Sequence, residues 1–182
     1  MRRGRVAAAV ALFAAVLVIA TTHPLRAAGS ARPGVLRFGD ATAPGDPGAL
    51  SLNRPLVGMA GSPDGRGYWL VASDGGIFSY GSAGFFGSAG GVPLNKPIVG
   101  MAPAADGRGY WLVASDGGIF SYGSARFFGS AGSVPLNRPV VGMAATPDGL
   151  GYWLVASDGG IFSYGSARFF GSAGSVPLNR PV

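Results

Sequence analysis

Leu52, Leu94, Leu136 and Leu178 each open the same phrase, read as "LNRPLVGMA", "LNKPIVGMA", "LNRPVVGMA" and "LNRPV". The spacing is 42 residues every time, with no insertion. A seventeen-residue string, "GYWLVASDGGIFSYGSA", stands unchanged at 67–83, 109–125 and 151–167. Units 52–93 and 94–135 differ at seven positions, and units 94–135 and 136–177 at six. A fixed period of 20–50 residues marks an array of supersecondary units that bury their apolar faces against one another. The repeated string is therefore a building block, and this constrains the fold more than any local motif does.

A weaker copy precedes the first full unit. Shifted by 42, "GVLRFGDA" at 34–41 falls on "GIFSYGSA" at 76–83, and the register holds without gaps through Leu52. The array thus reads as a half unit at 34–51, full units at 52–93, 94–135 and 136–177, and the opening of a further unit at 178–182. Each full unit predicts four short strands. In the third they are 139–145, 152–157, 160–165 and 167–173, with Asp158-Gly159 read as a two-residue hairpin turn. Four strands in about 42 residues is the size of a propeller blade. Leu154 and Val155 are consecutive, which places apolar groups on both faces of the second strand, as packing between two neighbouring sheets requires. The expectation is an all-β, β-propeller-type array: three full blades plus an N-terminal half blade, in an incomplete ring.

These units resemble the "GYWLVA-DGGIF-FG-A" repeats of secreted proteins from high-GC Gram-positive bacteria, and more loosely WD-repeat or NHL-type blades. The shared core is present at 63–78 and 147–162; at 105–120 Ala105 replaces its Pro. Ser82, Ser124 and Ser166 depart from the "FGDA" ending, which Phe38 to Ala41 keep. The resemblance implies a non-catalytic propeller array in an extracellular compartment and is silent on the ligand. A β-trefoil, an extracellular carbohydrate-binding fold of three four-stranded units, is the competing architecture. Three full copies suit it, but a start in the middle of a unit does not.

The chain opens with Arg2, Arg3 and Arg5, then fifteen unbroken apolar residues from Val6 to Ala20, then small residues at 27–31. That is the layout of a secretory signal peptide over 1–31, a leader helix, followed by the repeat domain at 32–182. Fifteen helical residues rise about 22 Å, short of the ~30 Å hydrocarbon core, which favours secretion over a retained membrane anchor. Four of the 14 Lys and Arg leave with the leader. Ten remain against eight Asp, a net charge of about +2 with no basic run, so nucleic acid is not an expected partner.

The residue types missing from the chain limit its chemistry. The one His, His23, lies in the leader, and Cys and Glu are absent throughout. Within one chain this excludes Ser-His-Asp and Cys-His catalysis and thiolate or imidazole zinc sites, and no cofactor is implied. Asp pairs could serve a glycosidase. However, Asp64, Asp106 and Asp148, like Asp74, Asp116 and Asp158, all precede Gly in predicted turns, where Asp bonds local backbone. A lone Asp among glycines is also too few ligands for calcium. A non-enzyme is expected.

The recurring aromatics are expected to fill the space between blades, with Trp69, Trp111 and Trp153 as structural markers alongside Asp74, Asp116 and Asp158. The candidate binding residues are Arg126 and Arg168 with Phe127 and Phe169. The arginines are expected at the surface because the first unit has Gly84 in their place. A contact repeated once per unit would gain affinity through multivalency. The expected partner is an extracellular protein or a cell-wall glycan. Propellers use four to eight blades, so open blade edges also lead one to expect self-association.

Overall fold

The computed structural model describes residues 52–182; the leader at 1–31 and the half unit at 34–51 lie outside the described residues. Nine strands form three sheets. These are β1 (Leu56–Gly61), β2 (Gly67–Ala72) and β3 (Ile77–Gly81); β4 (Ile98–Pro103), β5 (Gly109–Ala114) and β6 (Ile119–Gly123); and β7 (Val140–Ala145), β8 (Gly151–Ala156) and β9 (Ile161–Gly165). Each sheet is antiparallel and ordered as the chain runs. The described protein is all-β, and its sheets recur with the 42-residue period.

The second strand of each unit is its centre. Every residue of β2 and β5 is buried, and the side chains of β5 alternate between the first and third units, as period-two geometry dictates. Trp69 and Val71 pack forward against Tyr110 and Leu112 of the next unit, and Trp111 and Val113 pack against Tyr152 and Leu154. Both faces of the strand are therefore dry. In the β2–β3 turn, the Gly75 N–H donates to the Ala72 carbonyl at 2.8 Å, and the Ala72 N–H donates to the Gly76 carbonyl at 2.9 Å. Gly75 sits at φ 82°, in the left-handed region that favours glycine. The loop is thus a three-residue turn ending in a left-handed Gly, not the two-residue hairpin that Asp-Gly alone suggests.

Successive sheets approach most closely at their first strands, β1 with β4 and β4 with β7, and less closely between the second strand and the next unit's first strand. The sheets therefore fan outward from the first strands, which is blade geometry. Residue size follows the fan. At its narrow side a Cβ on Gly58 would stand 3.5 Å from the Gly100 Cα and 3.0 Å from a Val71 methyl. Farther out the widening gap is filled by rings: Trp69 and Tyr110 at 5.7 Å, and Phe86 and Tyr110 at 5.9 Å. The trefoil alternative is set aside, because strands from different units do not hydrogen-bond into one barrel; each unit keeps its own sheet.

The expected fourth strand is not a strand. Residues 83–89, 125–131 and 167–173 carry no ladder pairing. Side chains take several of their backbone groups, while at the segment ends the Ala83 and Ala89 N–H groups donate to the Tyr80 and Gly75 carbonyls. The Trp69 Nε1–H donates to the Gly84 carbonyl at 2.7 Å, and Trp111 does the same to the Arg126 carbonyl at 2.7 Å. From the next unit, the Tyr110 hydroxyl donates to the Gly87 carbonyl at 2.6 Å and accepts from the Phe86 N–H at 3.2 Å. Tyr152 repeats this on Gly129 and Phe128 at 2.6 and 3.2 Å. Each described unit is thus a three-stranded sheet with an outer segment pinned by one indole, joined in the first two units by one phenol from the next unit. Burial raises the Tyr110 and Tyr152 hydroxyls above the ordinary phenol range.

Trp111→Ala is expected to cost about 3–5 kcal/mol, since it empties an inter-unit site and frees the Arg126 carbonyl. Tyr110→Phe keeps the ring and loses two hydrogen bonds of about 0.5–1.5 kcal/mol each. Arg126→Gly should be nearly silent, because the bonded atom is a backbone carbonyl. Urea unfolding of the three variants checks this order; equal losses for Trp111→Ala and Arg126→Gly would contradict it.

Candidate functional site

The sequence-predicted binding residues lie on the outer segments. Phe85, Phe127 and Phe169 are 63%, 61% and 61% exposed, at the same position of each unit. Arg126 and Arg168 precede two of them and are exposed. In the first two units the second Phe turns inward: Phe128 packs on Trp111 and Tyr152 with ring centres 6.3 and 5.8 Å apart, whereas Phe170 of the third unit is 84% exposed. In those two units one phenylalanine thus serves packing and the other faces solvent. The exposed ring is held in place because the indole bond fixes the carbonyl just before it: Trp153 Nε1 donates to the Arg168 carbonyl at 2.8 Å. Arg126 with Phe127, and Arg168 with Phe169, thus stand exposed at matching positions of the second and third units, on a braced backbone.

The aspartates cap turns. Asp74, Asp116 and Asp158 accept the N–H of Gly76, Gly118 and Gly160 at 3.0, 2.9 and 3.0 Å. At the opposite end of each sheet, Asp64 accepts from the Ser62 hydroxyl, from the Arg66 N–H at 3.0 Å and from the Ser82 hydroxyl at 2.8 Å. Asp148 is held by Thr146, Leu150 and Ser166 in the same way. Asp106 has the Arg108 N–H and Ser124 but faces Ala104 where the other units have a hydroxyl. These bonds hold all three carboxyls below the usual carboxylate range. The Ser62 hydroxyl contributes most at Asp64, the Arg108 N–H at Asp106 and the Thr146 hydroxyl at Asp148. The nearby Arg66–Asp64 pair, at 3.4 Å, is exposed and adds little.

Two shallow grooves of about 330 and 220 Å³ lie where the Ser-Asp-Gly-Gly turn meets the Leu-Asn-Arg-Pro linker. Arg54 and Asp74 line one, and Arg138 and Asp116 line the other. Among the described residues no group of three or more His, Cys, Asp or Glu is placed to hold a metal. The sequence did not single out Tyr110 and Tyr152 as fasteners, since nothing local in "GYWLVA" shows that the tyrosine hydroxyl reaches the preceding unit. Nor did it show that Ser121 and Ser163 bury hydroxyls without a hydrogen-bond partner.

No protein-family model matches the chain, and no curated protein matches it by sequence. Among solved structures, it is similar to a protein of unknown function from Bacteroides thetaiotaomicron. That match has 14% identity and a TM-score of 0.45, over 63% of this chain and 33% of that one. It is also similar to the β-propeller domain of Cps50 (Swd1) from Myceliophthora thermophila, with 11% identity and a TM-score of 0.41, over 61% of this chain and 38% of that one. The chain spans little more than a third of the length of these structures.

Because the three turn carboxyls are depressed in the folded state, their stabilisation is present above the unfolded value near 3.9 and is lost as pH falls through the folded values. The urea midpoint should hold from pH 7 to about 4.5 and drop below pH 4. Replacing Asp64, Asp106 and Asp148 by Asn should flatten that drop. Ala104→Thr should raise the melting temperature by supplying Asp106 with the donor it lacks; a lower one would show that the hydroxyls at 62 and 146 do not support the turn.

Proposed function

We propose that the chain is a secreted, non-enzymatic, propeller-type repeat module that binds at the cell surface through the repeated outer contact of Arg126–Phe127 and Arg168–Phe169. The observation that carries this reading is the triplicated exposure of Phe85, Phe127 and Phe169. Large aromatics left in water on a regular surface row mark interaction sites, and a flat ring beside a guanidinium suits a sugar ring carrying polar substituents. One contact per unit suits a polymer that repeats, so a cell-wall glycan is the proposed ligand class, with affinity built by multivalency. The leader features at 1–31 support export. The absence of His, Cys and Glu after the leader, with the described aspartates engaged in turns, supports a role without turnover.

Sedimentation with insoluble cell-wall polysaccharide tests the proposal. The natural chain should pellet with the polymer and release no reducing sugar. A chain carrying Phe127→Ala and Phe169→Ala should lose at least tenfold in apparent affinity while keeping its melting temperature. Equal binding by both chains would remove these residues from the function. Sugar release abolished by Asp148→Asn would make the protein an enzyme.

A further inference from the structure

The Ser-Asp-Gly-Gly turn of the first two units is stitched between two linkers. The Ser73 N–H donates to the Pro55 carbonyl, and the Ser73 carbonyl accepts from the Ile98 N–H, both at 2.9 Å. Ser115 is tied to Pro97 and Val140 at the same distances. Pro55, Pro97 and Pro139 each follow a cation, Arg54, Lys96 and Arg138. Asp74 and Asp116 therefore stand on fixed loops, each between two linkers that carry positive charge.

These charges are not consumed by the fold. Asp74 and Asp116 accept the Gly76 and Gly118 N–H through Oδ1, and Oδ2 of each has no partner among the described residues. The Ser73 and Ser115 hydroxyls likewise make no hydrogen bond there. Arg54 shares one groove with Asp74, and Arg138 shares the other with Asp116, yet the ion pair among the described residues is Arg66–Asp64, at the opposite end of the sheet. The two groove carboxylates are half-buried, while both guanidinium groups are exposed. Beside them Val92 and Val134 are 53% and 49% exposed and form an apolar lip with Leu94 and Leu136. Volumes of about 330 and 220 Å³ fall at or below the low end of the about 300–1,000 Å³ range of small-molecule pockets. Each groove thus has room for a side chain and not for an enclosed ligand.

We infer that this end of the array binds an extended polypeptide segment whose array-facing residues alternate lysine with glutamate. Successive residues of an extended chain point to opposite sides, so the facing residues are every second one. A lysine lays its apolar stem on the valine and leucine lip, as long cationic side chains do on apolar surface. Its ammonium donates to the free aspartate oxygen and to the serine hydroxyl. The next facing residue, a carboxylate, accepts from the arginine. Each exposed pair is weak alone, and pairs repeated along one chain gain through multivalency. The lysine stem and its ammonium distinguish this partner from a neutral glycan, and the inference does not rest on the outer phenylalanine row.

Fluorescence anisotropy of labelled peptides on the natural chain tests it. Three peptides of equal length are compared, built from Lys-Ser-Glu-Ser, Lys-Ser-Lys-Ser and Glu-Ser-Glu-Ser repeats. The mixed peptide should bind most tightly, and more weakly as salt is added. Asp74→Asn, Asp116→Asn and Asp158→Asn together should weaken it about tenfold. They should keep the melting temperature, because an amide oxygen still accepts the glycine N–H. Arg54→Gln with Arg138→Gln should also weaken the mixed peptide but strengthen the all-lysine one, a crossover that a purely structural role does not produce. The arginine variants keep the test decisive even if the asparagine variants unfold. Equal binding of the three peptides would overturn the inference, as would a mixed peptide that responds to neither set of variants.

Discussion

The fold rests on a requirement that no single unit can meet alone. The second strand writes Tyr, Trp, Leu and Val in succession, so both faces of every sheet are apolar and each must be covered by a neighbour. Covering is directional. Trp69 and Trp111 point forward, Tyr110 and Tyr152 point back, and the two meet with centres 5.7 and 5.6 Å apart. The tyrosine hydroxyl then continues past the ring contact and closes on the backbone of the preceding unit's outer segment. One side chain thereby joins the packing of two sheets to the hydrogen bonding of a segment that has no strand partner. Stability in such an array is a sum of unit terms and neighbour terms, and here the Trp–Tyr ring contacts belong to the neighbour term.

The outer row follows from the same interaction. A segment held by an indole and a phenol, not by a ladder, is free to alternate its phenylalanines unevenly. Phe86 and Phe128 are drawn inward to the tyrosine ring, and Phe85 and Phe127 are left in water. The site is thus a by-product of how the blades are fastened, and it repeats because the fastening repeats. The aspartate turns at the two ends of each sheet do different work. They fix loop geometry through short local bonds, and at Asp64, Asp106 and Asp148 those bonds lower the carboxyl pKa.

Much of the fold is legible in the sequence because the period is exact in length and the apolar pattern is strong. The three strands of the third unit fall within a residue of where alternation places them, and the double-sided second strand follows from Leu154 and Val155 being adjacent. What was not legible depends on contacts distant along the chain. The stretch "ARFFGSA" alternates like a strand, but Trp111 and Tyr152, 15 residues before Arg126 and 24 after Phe128, claim its backbone first. The Asp-Gly pair marks the turn correctly, yet the extra residue in the loop depends on Gly159 adopting φ 81° and not on the pair itself. At the candidate site, the exposed arginines follow from Gly84 standing at their position in the first unit. Which phenylalanine of each pair faces water is set by the width of the inter-blade gap.

The ring-to-ring contact between units, and not the hydrogen-bonded sheet within each unit, holds the array together. A double-mutant cycle between Trp111 and Tyr152, each replaced by Leu, measures that contact directly by urea unfolding. The expected coupling is about 0.5–1.5 kcal/mol, the range for a buried aromatic pair beyond its area. Losses that add to within about 0.3 kcal/mol would contradict it, because the two rings would then be stabilising their own units independently.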